Sequence, residues 1–337
     1  MNIISIVGST AVGKTGAALT IAKQLLKEKK VSAVDIISAD SRQVYQGLSI
    51  LSGADIPADS RQFDAINSST FPYFQLLGHQ IYLHGVSIIR PTAEWSLAHF
   101  HQLAERVIAN ASAEKRAVFV VGGTGLYQTQ LLHVDSLDFS PPLPQVREKA
   151  QEMNVGQLQS WLDELDSTAL MILNQSDRAN PRRLIRAIER VLSKQSYGTD
   201  GPKKAPLESG MSSHEQSFYG LYTNKLELEK RIRERVAERL DCGAVAEVEA
   251  LVAELEELRI PLSKLPAHTT CGLREVQAFI NGEVDRPQCL ELWSRRELAY
   301  AKRQETWWKK YPDVRWFDID EAGTQIDLLF AVQQHFS

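Results

Sequence analysis

One short motif near the start of the chain restricts the folds that are open to it. An apolar run at residues 3–7 leads into GSTAVGKT at residues 8–15, which fits the phosphate-binding loop pattern G-x-x-x-x-G-K-[ST]. In such a loop, backbone N–H groups point inward around an anion, a lysine adds charge and a hydroxyl binds Mg²⁺. We predict a strand before the loop and a helix over about residues 14–26 after it. The candidate phosphate-binding residues are Gly8, Ser9, Thr10, Ala11, Val12, Gly13, Lys14 and Thr15, with Thr15 as the candidate Mg²⁺ ligand.

Length and composition are those of an ordinary globular protein. The chain has 337 residues, of which 43% are hydrophobic and 24% charged, and its length suggests about two domains. The net charge of −4 gives no overall attraction to nucleic acid, so a polyanion partner needs a local basic face. Neither a signal peptide nor a membrane helix is indicated, and we expect a cytoplasmic protein with no membrane partner. The widely spaced Cys242, Cys271 and Cys289 indicate free thiols.

Two further strand ends are expected at the same sheet edge as the loop. Residues 31–39 are predicted to form a strand that ends at Asp40, and residues 117–121 form another that leads into GGTGLY at residues 122–127. Ligands of open parallel sheets lie at the carboxyl ends of the strands, which makes Asp40 and Thr124 candidate site residues. On position alone, Asp40 fits a helix N-cap equally well. The predicted fold class is α/β, with a parallel sheet core like that of P-loop NTPases.

The remaining patterns predict a helical insertion into this core. Residues 145–194 are helical in pattern, residues 196–216 are rich in Ser, Gly, Pro and Lys, and residues 217–222 suit a strand that returns to the sheet. We therefore expect the first part of the core at residues 1–138, an inserted helical domain at 139–216, and the rest of the core with C-terminal helices at 217–337. Residues 52–85 have a loop-like pattern.

Basic residues recur along three of the predicted helices. Arg182, Arg183 and Arg186 share one side of a helix, and further basic rows follow at residues 225–240 and 287–310. In the last of these, aromatic residues alternate with basic ones, which suits single-stranded nucleic acid. Arginine stripes are also typical of solvated helix faces, and tryptophans at helical spacing are more often part of a core.

Six stretches together resemble the tRNA dimethylallyltransferase (tRNA isopentenyltransferase) family. They are the loop at residues 8–15, DSRQVY at 40–45, GGTGLY at 122–127, NPRRLIRAIE at 180–189, KRI at 230–232 and AKRQETW at 301–307. No zinc-finger extension follows them, which favours the bacterial type. The resemblance implies an enzyme that transfers a dimethylallyl group from dimethylallyl diphosphate to N6 of adenosine 37, next to the anticodon of a tRNA. It also implies that the inserted helical domain grips the anticodon stem-loop.

The resemblance further implies roles for individual residues. Asp40 accepts the N6 proton, Thr124 orients the amine, and Arg231 stabilises the leaving diphosphate together with the loop residues and a Thr15-bound Mg²⁺. With these matches, the stripe at residues 182–186 becomes a functional rather than a merely solvated face. We expect a monomer. The residues implied to contact tRNA are Asp40, Ser41, Arg42, Gln43, Thr124, Arg147, Arg182, Arg183, Leu184, Ile185 and Arg186.

Three other functions fit parts of the sequence. An adenylate isopentenyltransferase shares the loop and the chemistry but acts on a free nucleotide, and it leaves the arginine-bearing insertion unexplained. A small-molecule phosphotransferase uses such a loop to bind ATP, but it does not explain the basic C-terminal helix. A non-catalytic RNA-binding protein has no need for intact Lys14, Asp40 and Thr124. The sequence also departs from the family at residues 53–95, where VSIIRP at 86–91 replaces an Asp-rich stretch, and at Gly272-Leu273, where a Gly-Tyr pair is common.

Overall fold

The chain forms two compact units. The structure is a computed structural model that describes residues 1–63, 71–132, 142–197 and 214–336. One unit comprises residues 1–132 and 210–337, and the other residues 133–209. The connection expected at residues 196–216 lies mostly outside the described residues, as does the predicted domain boundary at residue 139.

An eight-stranded sheet forms the centre of the first unit, which we call the α/β unit. The strands lie in the order β3-β4-β5-β2-β6-β1-β7-β8. All neighbours from β5 to β8 pair in parallel, whereas β3–β4 and β4–β5 pair antiparallel. The predicted α/β class with a parallel core is therefore confirmed. The strands are β1 (Asn2–Gly8), β2 (Val34–Ser38), β3 (Ser60–Phe63), β4 (Tyr73–Leu76), β5 (Ile81–His84), β6 (Ala117–Val121), β7 (Glu215–Tyr222) and β8 (Arg315–Asp318).

The central strands are apolar because helices cover both faces of a parallel sheet. Every residue of β2 and β6 is buried, as are the last six residues of β1. Helix α1 follows the loop as predicted, and the helices predicted over residues 225–240 and 287–310 are α10 and α13. The helices of this unit are α1 (Lys14–Lys27), α2 (Ser49–Ser52), α3 (Leu97–Ala113), α4 (Gly125–Thr129), α10 (Lys225–Arg239), α11 (Val245–Leu258), α12 (Leu273–Ile280), α13 (Arg286–Trp308) and α14 (Thr324–Gln333).

The stretch expected to be loop-like contains three strands. Strands β3, β4 and β5 are four residues long each and extend one side of the sheet. Strand β4 runs antiparallel to both β3 and β5. Strand β3 has the sequence SRQF and is largely solvent-facing, so it lacks the buried apolar run that identifies a central strand. Residues 64–70, which also belong to this stretch, lie outside the described residues.

The described residues of the second unit, which we call the helical unit, form five helices. Helix α9 packs against α5, α6, α7 and α8, and the core includes Leu158, Leu162, Leu184 and Ile188. Its helices are α5 (Pro144–Ala150), α6 (Val155–Leu165), α7 (Ser167–Met171), α8 (Gln175–Arg178) and α9 (Pro181–Tyr197). In the part of the chain that the structure describes, every helix is too short or too polar to cross a lipid bilayer.

Candidate active site

The phosphate-binding loop joins β1 to α1 at the carboxyl edge of the sheet. Gly13 has left-handed backbone angles (φ 79°) and stands at the N-cap of α1, a conformation that a side chain would disfavour. The Thr10 N–H donates to Gln304 Oε1 at 2.8 Å, which ties the loop to α13. Lys14 Nζ donates to the Ser9 carbonyl at 2.5 Å. The loop thus folds around its own lysine at the positive end of a helix, as anion binding requires.

The ends of β2 and β6 bring Asp40 and Thr124 to the same edge. The Thr124 N–H donates to the Ala39 carbonyl at 3.1 Å, and Thr124 Oγ1 accepts the Ser41 N–H at 3.4 Å. The two chains approach so closely that a Cβ at Gly122 would collide with the Ala39 backbone. Asp40 Oδ1 accepts the Arg42 N–H at 2.9 Å, so this carboxylate stabilises its own turn and no helix begins there.

A cavity of about 270 Å³ connects these elements. It lies entirely within the α/β unit and joins the phosphate-binding loop to Asp40. Of the predicted site residues, it is lined by Thr10, Ala11, Gly13, Lys14, Thr15, Asp40, Arg42 and Gln43. Further lining residues come from α2, α10, α12 and α13 and the segments beside them, and they include Gly53, Asp55, Arg235, Thr270, Cys271, Glu297, Tyr300 and Gln304.

Burial changes the acid–base properties of the two central groups. It lowers the pKa of Lys14 to about 8, an effect that nearby Arg235 adds to and Asp40 opposes. It also raises the pKa of Asp40, although the Arg42 N–H and the charge of Lys14 act in the opposite direction. The cavity therefore holds a carboxylate whose pKa is raised above its ordinary value, near Lys14 and Arg235, two cations that repel each other and favour an anion between them.

Arg235, rather than the predicted Arg231, lines this cavity. Arg235 Nη2 donates to the Gly53 carbonyl at 3.0 Å and to Asp55 Oδ1 at 2.7 Å. Arg231 lies one turn earlier on α10, where it pairs with Glu227 and Asp320 and borders a different groove beside the loop. The role expected for Arg231 at the diphosphate remains a prediction, and Arg235 is the better placed candidate.

The carbonyl of Gly53 links two sides of the cavity. Besides Arg235, it accepts a hydrogen bond from Gln43 Nε2 at 2.9 Å, and Gln43 Oε1 accepts the Ser38 hydroxyl at 2.7 Å. A Cβ at Gly53 would collide with the Arg239 guanidinium, so only glycine fits there. The position of Gln43, which is expected to contact tRNA, is thus fixed by the same backbone atom that holds Arg235.

Helix α13 contributes a row of residues that sequence reasoning did not single out. Glu297, Tyr300 and Gln304 follow one another at the i, i+3, i+7 spacing of one helix face, and all three line the cavity. The Tyr300 side chain is hydrogen-bonded to Thr124, and burial raises the pKa of its phenol. Tyr300 directly precedes the matched segment at residues 301–307 and Gln304 lies within it, so the helical spacing was a usable signal. The tryptophans on the helix are mainly structural, since Trp293 and Trp308 are buried.

The lining offers oxygen ligands of the kind that Mg²⁺ prefers. The Thr15 hydroxyl and the carboxylates of Asp40 and Asp55 share the cavity. Among residues 1–63, 71–132, 142–197 and 214–336, no three His, Cys, Asp or Glu side chains assemble into a metal cluster. These oxygen atoms fit a Mg²⁺ site, and the expected role of Thr15 as a ligand stays a prediction.

Four of the five arginines expected to contact tRNA lie in the helical unit, together with two apolar residues; the fifth, Arg42, lines the cavity of the α/β unit. The buried carboxylate of Glu189 accepts hydrogen bonds from Arg147 Nε at 2.9 Å and Arg186 Nη1 at 3.1 Å. Arg183 pairs with Asp177, and Arg182 is exposed. Leu184 corrects the prediction: its side chain is 0% exposed in the core of the helical unit, so its role is packing. Ile185 is half-buried against the same core.

Comparison with known proteins agrees with the motifs. The model of the IPP transferase family matches residues 43–311. The chain belongs to this family. A tRNA dimethylallyltransferase 2 from Geotalea daltonii is 30% identical over 334 residues, which cover 97% of this chain and 90% of that protein. A tRNA dimethylallyltransferase from Carboxydothermus hydrogenoformans is 29% identical over 331 residues, or 96% and 94% of the two chains.

Solved structures show the same fold. The crystal structure of a tRNA isopentenylpyrophosphate transferase from Bacillus halodurans superimposes with a TM-score of 0.64 at 26% identity. The match covers 99% of the present chain and 96% of the Bacillus halodurans chain. A eukaryotic dimethylallyltransferase acting on tRNA gives a TM-score of 0.72 at 19% identity, which is a likeness of fold. It covers 99% of this chain and 78% of the eukaryotic one. The resemblance first seen in six short motifs is therefore confirmed at the level of the family.

Proposed function

We propose that the protein is a tRNA dimethylallyltransferase that transfers a dimethylallyl group from dimethylallyl diphosphate to N6 of adenosine 37 in tRNA. The observation that carries this proposal is the single cavity in which a phosphate-binding loop faces the carboxylate of Asp40. The loop suits the diphosphate of the donor, and the carboxylate suits the proton of the acceptor. The names of the relatives above support the choice of donor and acceptor.

On the donor side, the bond between C1 of the allyl group and the bridging oxygen breaks, and the electron pair leaves with the diphosphate. The growing negative charge is stabilised by the loop N–H groups, by Lys14 and by Arg235, which the Gly53 carbonyl and Asp55 hold in place before the donor arrives. Bound Mg²⁺, with Thr15 among its ligands, would add positive charge at the diphosphate. Each of these groups acts best when the charge is fully developed.

On the acceptor side, N6 forms a bond to C1 and loses a proton. The adenine amine is a weak nucleophile, because its lone pair is delocalised into the ring, so a base at this position accelerates the step. Asp40 takes the proton, and its raised pKa makes it a better base than an ordinary aspartate. Thr124 orients the amine through a hydroxyl that is itself positioned by the Ser41 N–H and by Tyr300.

The RNA must present adenosine 37 outside its base stack, which requires contacts to the flanking nucleotides and the backbone. In this proposal Ser41, Arg42 and Gln43 contact the target base and its neighbours, while Arg147, Arg182, Arg183 and Arg186 contact phosphates of the anticodon stem-loop. We further propose that the enzyme acts as a cytoplasmic monomer.

The decisive experiment uses labelled dimethylallyl diphosphate and Mg²⁺. An anticodon stem-loop with adenosines at positions 36 to 38 and free AMP are offered in parallel reactions, and ATP hydrolysis is measured in a third. Label on the RNA alone supports the proposal. Label on AMP indicates an adenylate isopentenyltransferase, and ATP turnover without prenyl transfer indicates a phosphotransferase. Lys14→Ala should abolish labelling, whereas the matched Lys23→Ala, at an exposed position on α1, should leave it unchanged.

A further inference from the structure

One wall of the cavity is more polar than a dimethylallyl tail requires. The loop, Lys14 and Arg235 account for the diphosphate, and Asp40 and Thr124 account for the amine. The lining residues that are assigned to neither the diphosphate nor the amine include Thr270, Cys271 and Glu297. The lining also includes the apolar side chains of Leu51 and Val121, so a five-carbon tail in this cavity has both apolar side chains and this polar wall to contact.

One residue of this wall, Glu297, belongs to a buried ion pair. Arg239 Nη1 donates to Glu297 Oε1 at 3.0 Å, and each side chain is only 8% exposed. Removing two charges from water carries a penalty that their attraction only partly offsets, so such a pair is weak evidence for a purely stabilising role. Glu297 also lines the cavity. A carboxylate offers about four lone-pair positions, so it can accept another hydrogen bond beside that from Arg239.

The neighbours of Glu297 extend this polar surface. Thr270 is 1% exposed, and its hydroxyl has no hydrogen-bond partner among the residues that the structure describes. Burial raises the pKa of the Cys271 thiol to about 12, so this side chain is an uncharged, weak donor. Buried polar groups are nearly always hydrogen-bonded in native proteins, and an unpaired one suggests a missing partner.

A dimethylallyl tail cannot provide that partner, because it carries only C–H groups. Placing it against Glu297 and Thr270 would desolvate both without replacing a hydrogen bond. A hydroxyl on one of the terminal carbons would donate to the Glu297 carboxylate and accept from the Thr270 hydroxyl.

We propose that this cavity also takes a hydroxylated five-carbon allylic diphosphate, and that Glu297 is the residue that selects it. The inference rests on the proposed function and refines its donor. The reaction itself is unchanged: the C1–O bond breaks, the C1–N6 bond forms, the N6 proton goes to Asp40 and diphosphate leaves. The hydroxyl remains on the tail, so the modified adenosine carries one additional oxygen.

Competition between the two donors tests the proposal. Dimethylallyl diphosphate and its 4-hydroxy derivative are mixed in equal amounts with the anticodon stem-loop, and the two products are separated by mass. We expect the hydroxylated donor to be favoured roughly tenfold in kcat/KM, since a hydrogen bond to a charged group is made only by that donor. Equal or lower use of the hydroxylated donor would refute the inference and leave the proposed function intact. Transfer from neither donor would instead refute the proposed function.

Two variants assign the selectivity to this wall. Arg239→Met combined with Glu297→Leu replaces the pair by apolar side chains, a change that buried ion pairs often tolerate. We expect it to reverse the preference in favour of dimethylallyl diphosphate. Thr270→Val removes only an unpartnered hydroxyl, and we expect a fall of about threefold in the preference.

The matched control lies on the same two helices. Arg233→Met with Glu291→Leu removes an exposed pair between α10 and α13 that does not line the cavity, and the donor preference should not change. If the Arg239/Glu297 double variant does not fold, the product ratios of Thr270→Val and of the wild-type protein still test the proposal. An unchanged ratio in every folded variant of this wall would refute the role of Glu297.

Discussion

The two units of the molecule carry their cationic side chains in different ways. In the α/β unit, Lys14 and Arg235 are held by backbone carbonyls and face one cavity. In the helical unit, Arg147 and Arg186 bind a buried glutamate, while Arg182 is exposed on the surface. The first arrangement is preorganised for charge that develops during a reaction, and the second suits salt-sensitive contacts with a polyanion. Substitutions of the residues that face the cavity should therefore impair catalysis, and those of the arginines in the helical unit should weaken RNA binding.

The largest effect should follow the loss of the base. Asp40→Asn keeps the shape of the side chain and an oxygen that can accept the Arg42 N–H, but it cannot take the N6 proton. We expect kcat for prenyl transfer to fall by roughly 10²–10⁴ with RNA affinity nearly unchanged, measured by single-turnover labelling and by RNA titration. Asp313→Asn, at an exposed position of the same unit, is the control. Near-normal turnover of Asp40→Asn would remove Asp40 from the role of base.

Two arginines on one helix provide a sharper test of preorganisation. Arg235→Gln should lower kcat by about 10²-fold, because it removes a fixed donor from the leaving diphosphate. Arg231→Gln should change kcat less than threefold if its partners remain Glu227 and Asp320 in the working enzyme. Steady-state kinetics with saturating RNA measures both. The reverse order of effects would show that α10 presents Arg231 to the donor, as the family motif alone suggests.

Helix α10 also shows which features the sequence could predict. Leu228, Ile232 and Val236 recur every four residues along it, a period typical of one buried helix face, and all three side chains are buried. The same period cannot say which arginine reaches the cavity. Steps of four residues turn by about 40° around a helix with 3.6 residues per turn. Arg231, Arg235 and Arg239 therefore point progressively around α10, toward Asp320, the cavity and Glu297 in turn. Only the neighbouring elements decide which direction faces the site.

A similar limit applies elsewhere in the fold. The loop and the ends of β2 and β6 were predictable, because buried apolar strands lead directly into them. Strand β3 was missed because its polar sequence SRQF forms a largely exposed antiparallel edge without an apolar run. Leu184 lies within a segment implied to contact tRNA, and only packing against the other helices reveals that it faces inward. Long-range contacts thus supplied the information that local patterns lacked.

The pH dependence of donor binding should distinguish Lys14, which can lose its proton, from an arginine, which stays charged. Lys14 has a pKa lowered to about 8, so it is protonated below that pH, and the diphosphate favours the protonated form. As pH rises above 8, the apparent KM for the donor should increase by up to about tenfold per unit. In the opposite direction, kcat/KM should fall as pH drops through the pKa of Asp40, which lies above its ordinary value of 3.8. Lys14→Arg stays charged and should remove the alkaline limb. If this variant keeps the limb, it does not arise from Lys14.

The smallest effects should come from the helical unit. Arg182→Gln and Arg183→Gln should each weaken anticodon stem-loop binding by several-fold and reduce the slope of log K against log salt by about one, with kcat at saturating RNA unchanged. Lys23→Gln, on α1 of the other unit, is the matched charge control.

Arg182 is the cleaner test, because Arg183 must leave Asp177 before it can contact a phosphate, and this exchange reduces its net contribution. If neither the affinity nor the slope changes, the stripe is a solvated face and the contrast between the units disappears. A change in kcat at saturating RNA would instead mean that the helical unit takes part in the chemical step.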